Sequence, residues 1–534
     1  MPDVPPTGRL SGVELDEHRR VVRGIVDDPI LTYRQRVHAL ALAAENALDP
    51  PPVGEACAEA LQKRIICDMY EGAAPHRPRY TLPDYDLALF EGSRFLELDP
   101  PRTFDDATTF LLALYGNVPS ITGYPVWFGD LDRLLEPFAA DLDDAELHRR
   151  LKRFWVLLDR LFPDAFAHAN LGPGDGRVTR AALAVHREVR QVVPNLTLRV
   201  DPALTPDDLL VDAMRTVAAV AQPHLVNHPM MVHDLGPRYG VVSCYNSLPV
   251  GGGAHTLVRL NLKEAALRHR GAADRFVSDT LTSYVELTAE LMTSRIRHLV
   301  EEARFFEHSW LVHDRLLSLD RFTAMFGLFG LAECVEHLLA LEGHHGRYGH
   351  DPDADLLAQQ IVADVAAIVG AIDVPYCAAT GGHALLHSQA GIEADVGVTA
   401  GTRVRPGDEP ALYRHLATVA PHHRWFGSGV SDVVRLDDTL ATNPQAGVDI
   451  AKGAMSIGMR DVTFEVAGGE FVRITGYLAR RSDLAKAGAE QPEGVRHSSS
   501  VLGAGSFAHA HLDSRTVQPA RRVRSHELDA RPPR

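Results

Sequence analysis

The sequence is poor in cysteine. Its 534 residues include five, Cys57, Cys67, Cys244, Cys334 and Cys377, and no Cys-x-x-Cys pair. That excludes a disulfide framework and the usual spacings of zinc ribbons and iron–sulfur sites, and it fits a reducing compartment. Long apolar runs are missing too. AAIVGAI, starting at Ala366, is typical of the longest, far short of the ~20 residues a helix needs to cross a bilayer. The opening stretch MPDVPPTGRLSGVELDEHRR lacks the basic start and apolar core of a signal peptide. A cytoplasmic location is therefore expected. Positive charge is in deficit, with 54 Lys and Arg against 70 Asp and Glu and a net charge of −16. Such a balance argues against nonspecific binding to nucleic acid or anionic membranes.

What remains is an ordinary globular composition, 45% hydrophobic and 23% charged. Length alone suggests roughly three domains, although large α/β barrels run as single units. Residues 1–200 read as mostly helical. Apolar residues recur at helical spacing over 33–48, before the three prolines at 50–52, and over 145–162, where Leu151, Phe154, Trp155, Leu158 and Leu161 share a face. Between them, GNVPSITGYPVWFGDLD (116–132) reads as a Gly-, Pro- and aromatic-rich loop, a better place for a site than a helix face.

Over 201–480 strand-like runs alternate with helical ones, which points to an α/β core. RYGVVSCY (238–245) reads as a short buried strand ending at Cys244. Helices are expected over 277–300, 331–341 and 354–372. VTFEV (462–466), the Gly468 and Gly469 turn, and EFVRITGYL read as a hairpin leading into a loop. Residues 481–534 read as a polar tail.

Two motifs carry chemistry. Arg473-Ile474-Thr475-Gly476-Tyr477 is either a strand ending in a glycine turn or a site for a backbone radical. A radical on a glycine α-carbon is delocalised between the donating amide nitrogen and the withdrawing carbonyl. A side chain would crowd it and block close backbone approach. Cys244, in VVSCYNSLPVGGGAHTLVRLNL, is either a buried packing residue or its partner. A sulfur radical abstracts hydrogen from carbon and returns it readily, so cysteine can relay between a stored radical and a substrate C–H bond.

These two segments, with GGHALLHSQAGIEADVGVT, the 116–132 loop and the VxSHE-like tail from Val523 to Glu527, resemble the YjjI family of glycyl radical enzymes. The resemblance implies a ten-stranded α/β barrel, with a loop bearing Cys244 and an opposed loop bearing Gly476 meeting inside it. It implies a thiyl radical on Cys244, an oxygen-sensitive enzyme working anaerobically, and a homodimer. It also implies no tightly bound cofactor. The glycyl radical would be installed by a separate S-adenosylmethionine activase with its own [4Fe–4S] cluster.

Departures from relatives narrow the chemistry. Pyruvate formate-lyases carry two adjacent cysteines at this loop, but Cys244 stands between Ser243 and Tyr245. Dehydratases of the superfamily carry Cys-x-Glu, whose carboxylate is a base. Here Asn246 fills that position and cannot take the proton. MFGLFGLAE (325–333) resembles a segment of anaerobic ribonucleotide reductases. With no cysteine after Cys377, their four-cysteine zinc site is missing. A reductase-like enzyme lacking that site, and a non-catalytic barrel scaffold, are the alternative readings. The substrate is expected to be a small molecule of unidentified class.

Among other polar residues, Glu333 is a candidate acid or base or a helix-surface carboxylate. His383 and His387 either line a barrel or satisfy backbone groups. Thr122, Tyr124 and Asn246 are candidate substrate-site residues. His224, His228 and His233 could serve a metal-dependent hydrolase, but Pro229 interrupts the helix that would align them. No metal site is expected. Glycines 251–253 lack the Gly-Lys-Ser/Thr of a phosphate loop and read as a tight turn.

Overall fold

A computed structural model describes residues 12–69, 71–388, 397–430, 432–473, 478–489, 495–497 and 514–520. Gly476 and Tyr477 lie outside the described residues, as does the tail from Val523 to Glu527.

Two short strands come first, β1 (Ile66–Asp68) and β2 (Tyr80–Leu82). Four parallel strands follow, β3 (Trp127–Asp130), β4 (His168–Leu171), β5 (Asn195–Val200) and β6 (His224–Asn227). β5 is buried along its whole length, as expected of a parallel sheet covered on both faces. Helices Arg177–Val189 and Asp207–Val220 make the crossovers from β4 to β5 and from β5 to β6.

A hairpin of β7 (Tyr239–Val242) and β8 (Asn246–Pro249) then precedes the long β9 (Gly252–Asn261). β10 (Phe322–Phe329) and β11 (Leu385–Ser388) continue parallel to β9, while β1 and β2 pair with it antiparallel. The remaining strands are β12 (Val434–Leu436), β13 (Asp461–Val462), β14 (Phe464–Val466), β15 (Phe471–Arg473) and β16 (Leu478–Arg480). β13 closes the edge of the first sheet against β6. The described strands thus form two five-stranded sheets and three two-stranded ones. The architecture is mixed α/β, with no closed barrel among the described residues. Strands β1 to β5, from the mostly helical first 200 residues, belong to the same two sheets as strands from the rest of the chain.

Helix Asp144–Leu161 shows why the sequence folds this way. Leu147, Leu151, Phe154, Trp155 and Leu158 are buried at helical spacing, and Asp143 caps the N-terminus by accepting from the Glu146 amide. Leu161 is only partly buried.

Four expectations are corrected. The 116–132 segment is not loop throughout, because it contains β3 and runs into helix Leu131–Leu135. The 277–300 helix is α-helical over Thr282–Arg297, with π turns at each end. The strand before Cys244 stops at Val242. The hairpin is displaced: β14 pairs in parallel with β12, and β15 pairs instead with β16. A local two-glycine turn cannot reveal that a strand 30 residues upstream competes for the edge.

No helix among the described residues is long and apolar enough to cross a membrane. The glycines at 251–253 do more than turn. A Cβ on Gly252 or Gly253 would stand 1.9 Å from the carbonyl oxygen of Arg321 or Tyr80, so the backbones of β9, β2 and the Arg321 segment meet only because these side chains are absent.

Candidate active site

Cys244 sits at the tip of a three-residue turn, since Val242 and Asn246 are paired across the β7–β8 ladder. The residues on either side of it have left-handed backbones, with φ of 52° at Ser243 and 65° at Tyr245. A bulky residue there is strained by ~1–3 kcal/mol and persists only when its surroundings impose it. The surroundings can be named. Asn170 on β4 accepts from the Val241 amide at 2.8 Å, donates to the Val241 carbonyl at 2.9 Å, and accepts from the Trp127 indole at 3.1 Å. That one side chain sews the hairpin to the parallel sheet. The Ser247 amide donates to the Ser428 carbonyl at 3.1 Å. Gly429 lies so close that a Cβ would stand 2.1 Å from the Tyr245 carbonyl oxygen.

Cys244 is 7% exposed, and none of the five cysteines forms a disulfide. Tyr80, on β2, donates its hydroxyl to Ser243 Oγ at 3.5 Å and accepts from the Asn246 amide at 3.3 Å. Burial, only partly offset by Arg79, raises the Tyr80 pKa, so it stays a phenol. Asn246 donates also to the Val242 carbonyl at 3.1 Å.

Arg473 closes the other side. It ends β15, and β16 resumes at Leu478, so the two strands hold the ends of the connection that contains Gly476. Its guanidinium is fully buried and donates to the Tyr245 hydroxyl, to the Ala221 carbonyl, and to Asn195 Oδ1 at 3.3 Å. Its amide donates to Glu465 Oε2 at 2.9 Å, and Arg515 donates to its carbonyl at 2.8 Å. Burial lowers the Arg473 pKa, opposed by Tyr245 and Glu465. The Tyr245 ring stacks on His224 at 3.6 Å between centroids and meets His168 edge-on at 5.8 Å. Burial pushes both histidines well below their ordinary range, so both are neutral.

The other sequence candidates divide. Asn246 and His387 join the Cys244 neighbourhood, His387 through its Nδ1 bond to the Ser428 carbonyl at 3.0 Å. His383 bonds instead to the Ile372 carbonyl at 3.0 Å. Glu333 is occupied in holding Thr399, accepting from its amide at 3.1 Å and its hydroxyl at 2.6 Å. Thr122 bonds to Ser120 Oγ and the Tyr124 carbonyl, at 3.2 and 3.4 Å, and Tyr124 is half-buried. No described hydrogen bond brings His383, Glu333, Thr122 or Tyr124 to Cys244. His224, His228 and His233 have separate partners: Tyr245, the Tyr239 hydroxyl at 2.9 Å, and Asp234 at 2.7 Å. No group of three or more metal-ligating side chains occurs among the described residues.

Sequence reasoning did not single out Tyr80, Asn170, Arg403 or Ser428. Arg403 had one visible signal, a lone cation in the otherwise uncharged run VTAGTRV.

A family model described as glycyl radical enzyme YjjI-like matches residues 31–518. The uncharacterized protein YjjI of Escherichia coli strain K12 is 44% identical over 510 residues, covering 95% of this chain and 96% of that one. Among solved structures, the glycerol-bound form of the B12-independent glycerol dehydratase from Clostridium butyricum aligns with a TM-score of 0.68 at 12% identity, over 97% of this chain and 89% of that one. The anaerobic ribonucleotide reductase from Thermotoga maritima, in complex with dATP and CTP, aligns with a TM-score of 0.60 at 12% identity, over 89% of each chain. At such identity the two solved structures share a fold with this chain and nothing finer.

Proposed function

The chain belongs to the YjjI-like family of glycyl radical enzymes, and from that premise we propose that it stores an unpaired electron on Gly476 and passes it to Cys244. A separate radical S-adenosylmethionine activase with a [4Fe–4S] cluster removes one α-hydrogen from Gly476. With substrate bound, the Cys244 thiol gives its hydrogen atom to the Gly476 radical and is left as a sulfur radical. That radical takes a hydrogen atom from a substrate carbon. After rearrangement or cleavage, the product radical recovers hydrogen from Cys244, and Cys244 recovers it from Gly476. The reaction runs anaerobically, in the cytoplasm, in a homodimer in which the two five-stranded sheets of each subunit are halves of a ten-stranded barrel.

One observation carries this reading. Arg473, three residues before Gly476, donates to the hydroxyl of Tyr245, the residue after Cys244. The contact joins the strand leading into the Gly476 connection to the turn that presents the thiol, and a radical relay needs that alignment. Burial of Cys244, Tyr245 and Arg473 supports the reading too, because enclosure suppresses side reactions of a radical. Asn246, and the lack of a second cysteine beside Cys244, argue against Cys-x-Glu dehydration and formate-lyase chemistry.

The test is controlled exposure of activated protein to air. Oxygen should cut the chain near Gly476 and release a fragment of about 58 residues, Tyr477 to Arg534, while Gly476→Ala stays whole. A chain that stays intact after its spin signal has been counted would favour a scaffold.

A further inference from the structure

The substrate site can be read further, on the premise that Cys244 faces it. Among the described buried polar atoms that lack a hydrogen-bond partner near the Cys244 hairpin are these five: Asn246 Oδ1, Ser247 Oγ, His387 Nε2, Arg403 Nη2 and Ser428 Oγ. Buried polar groups are seldom left so, and each unpaired one is destabilising. These five are linked to one another. The Ser428 carbonyl accepts from the Ser247 amide and from His387 Nδ1, so one oxygen joins the hairpin to β11. Next to His387, Ser388 Oγ accepts from the Thr402 amide at 3.0 Å and bonds its hydroxyl at 3.0 Å, which fixes the backbone carrying Arg403. Arg403 lies close enough that its charge would act on an ionised Cys244, Tyr245 or His387.

Each atom has a definite character. His387 Nδ1 must carry hydrogen to bond a carbonyl. Burial lowers the pKa of the ring to about 3, so Nε2 is a bare acceptor. Asn246 spends its amide hydrogens on Val242 and Tyr80, which leaves Oδ1 as an acceptor. Arg403 Nη2 can only donate. The serine hydroxyls can do either.

The ion pair of Arg403 is long and leaves Nη2 unused. Asp432 Oδ1 is 3.9 Å from Arg403 Nε, and Asp432 Oδ2 is 3.0 Å from His415 Nε2. Burial alone would strip His415 of its proton, but Asp432 outweighs burial and raises its pKa. Asp432 is thus shared between Arg403 and His415, on which Glu409 also acts, while Arg515 has a carboxylate of its own in Glu465 at 3.1 Å.

We propose that this site binds a small organic anion bearing hydroxyl groups, its carboxylate or phosphate on Arg403 Nη2 and its hydroxyls donating to His387 Nε2 and Asn246 Oδ1. A neutral polyol would leave Arg403 unmet. A bare anion would leave both acceptors unmet.

The test is calorimetric titration of the full-length, unactivated protein with glycerate, glycerol 1-phosphate, glycerol and inorganic phosphate. At least one hydroxylated anion should bind tenfold or more tighter than both glycerol and inorganic phosphate. Glycerate and glycerol 1-phosphate distinguish carboxylate from phosphate. Arg403→Gln should weaken that binding at least tenfold at an unchanged melting temperature. His387→Phe, which keeps the bulk and removes the acceptor, carries the test if Arg403→Gln does not fold: it should weaken the hydroxylated anion and not inorganic phosphate. Equal binding of glycerol, no binding of either hydroxylated anion, or unchanged binding by the variants would overturn the proposal. Because these titrations need no radical, they succeed or fail independently of the radical reading, which falls if activated wild-type protein gives no spin signal.

Discussion

Replacing Gly429 by alanine would drive a methyl group into the backbone that carries Cys244. The new Cβ would stand 2.1 Å from the Tyr245 carbonyl oxygen and 3.3 Å from its carbon, against a floor of 3.0 Å for such contacts. The two backbones would have to part by about 1 Å. Overpacking of this kind costs ~1–3 kcal/mol. Gly429 also has φ of 100°, which disfavours any L side chain by a further ~1–3 kcal/mol. Loss of stability of roughly 2–6 kcal/mol is therefore expected. Movement of Gly429 also disturbs the Ser388 amide, which donates to its carbonyl at 3.2 Å. The control is Gly453→Ala, on the exposed face of helix Pro444–Ser456 with nothing within 4 Å of the new methyl. There alanine should stabilise by up to ~1 kcal/mol through helix propensity. Urea unfolding of the three proteins measures the difference. If Gly429→Ala lies within about 1 kcal/mol of wild type, the Cys244 turn is not held by this contact and the reasoning fails.

Two further outcomes are expected. Asn170→Ala should destabilise by about 2–5 kcal/mol in the same urea assay, because it strands the buried amide and carbonyl of Val241 and the Trp127 indole. A second concerns residues 495–497, where His497 Nε2 stands 3.1 Å from Asp159 and Nδ1 3.4 Å from Asp483, with Arg496 alongside. Burial opposes both charges, yet His497 and Arg496 bring Asp159 down to about 2, while Asp159 and Asp483 raise His497. The Asp159 contribution is complete above its unfolded pKa of ~3.9 and is lost as pH falls toward 2. The His497 contribution is complete below ~6.5 and is lost as pH rises through its higher folded value. Hydrogen exchange at residues 495–497 should therefore be most protected between about pH 4 and 6.5, after correction for intrinsic rates, and His497→Gln should abolish the alkaline loss. A flat corrected profile for wild type would refute this.

The sequence revealed what local pattern encodes. Helix Asp144–Leu161 followed from its apolar spacing, and the strand before Cys244 from its apolar run. The turn at Cys244 was not legible. Ser243 and Tyr245 are poor left-handed residues, and partners distant in sequence, among them Asn170, Gly429 and Ser428, hold them there. The pairing of β14 with β12 was hidden for the same reason. His383 and His387 look equivalent in sequence, but β11 begins at Leu385, so only His387 is carried on the strand toward Ser428. Arg403, Ser247 and Ser428 carry no spacing signal. Burial and the absence of partners mark them, and both are properties of the fold.

The central claim concerns Gly476, and electron spin resonance after anaerobic treatment with the activase tests it most directly. A glycyl radical retains one α-hydrogen, whose coupling splits the signal into a doublet. The account predicts that doublet in wild-type protein, its collapse to a single line in protein grown on α-deuterated glycine, and its loss in Gly476→Ala. A signal that survives in Gly476→Ala, or no signal from wild type with an activase shown to cleave S-adenosylmethionine, would contradict it.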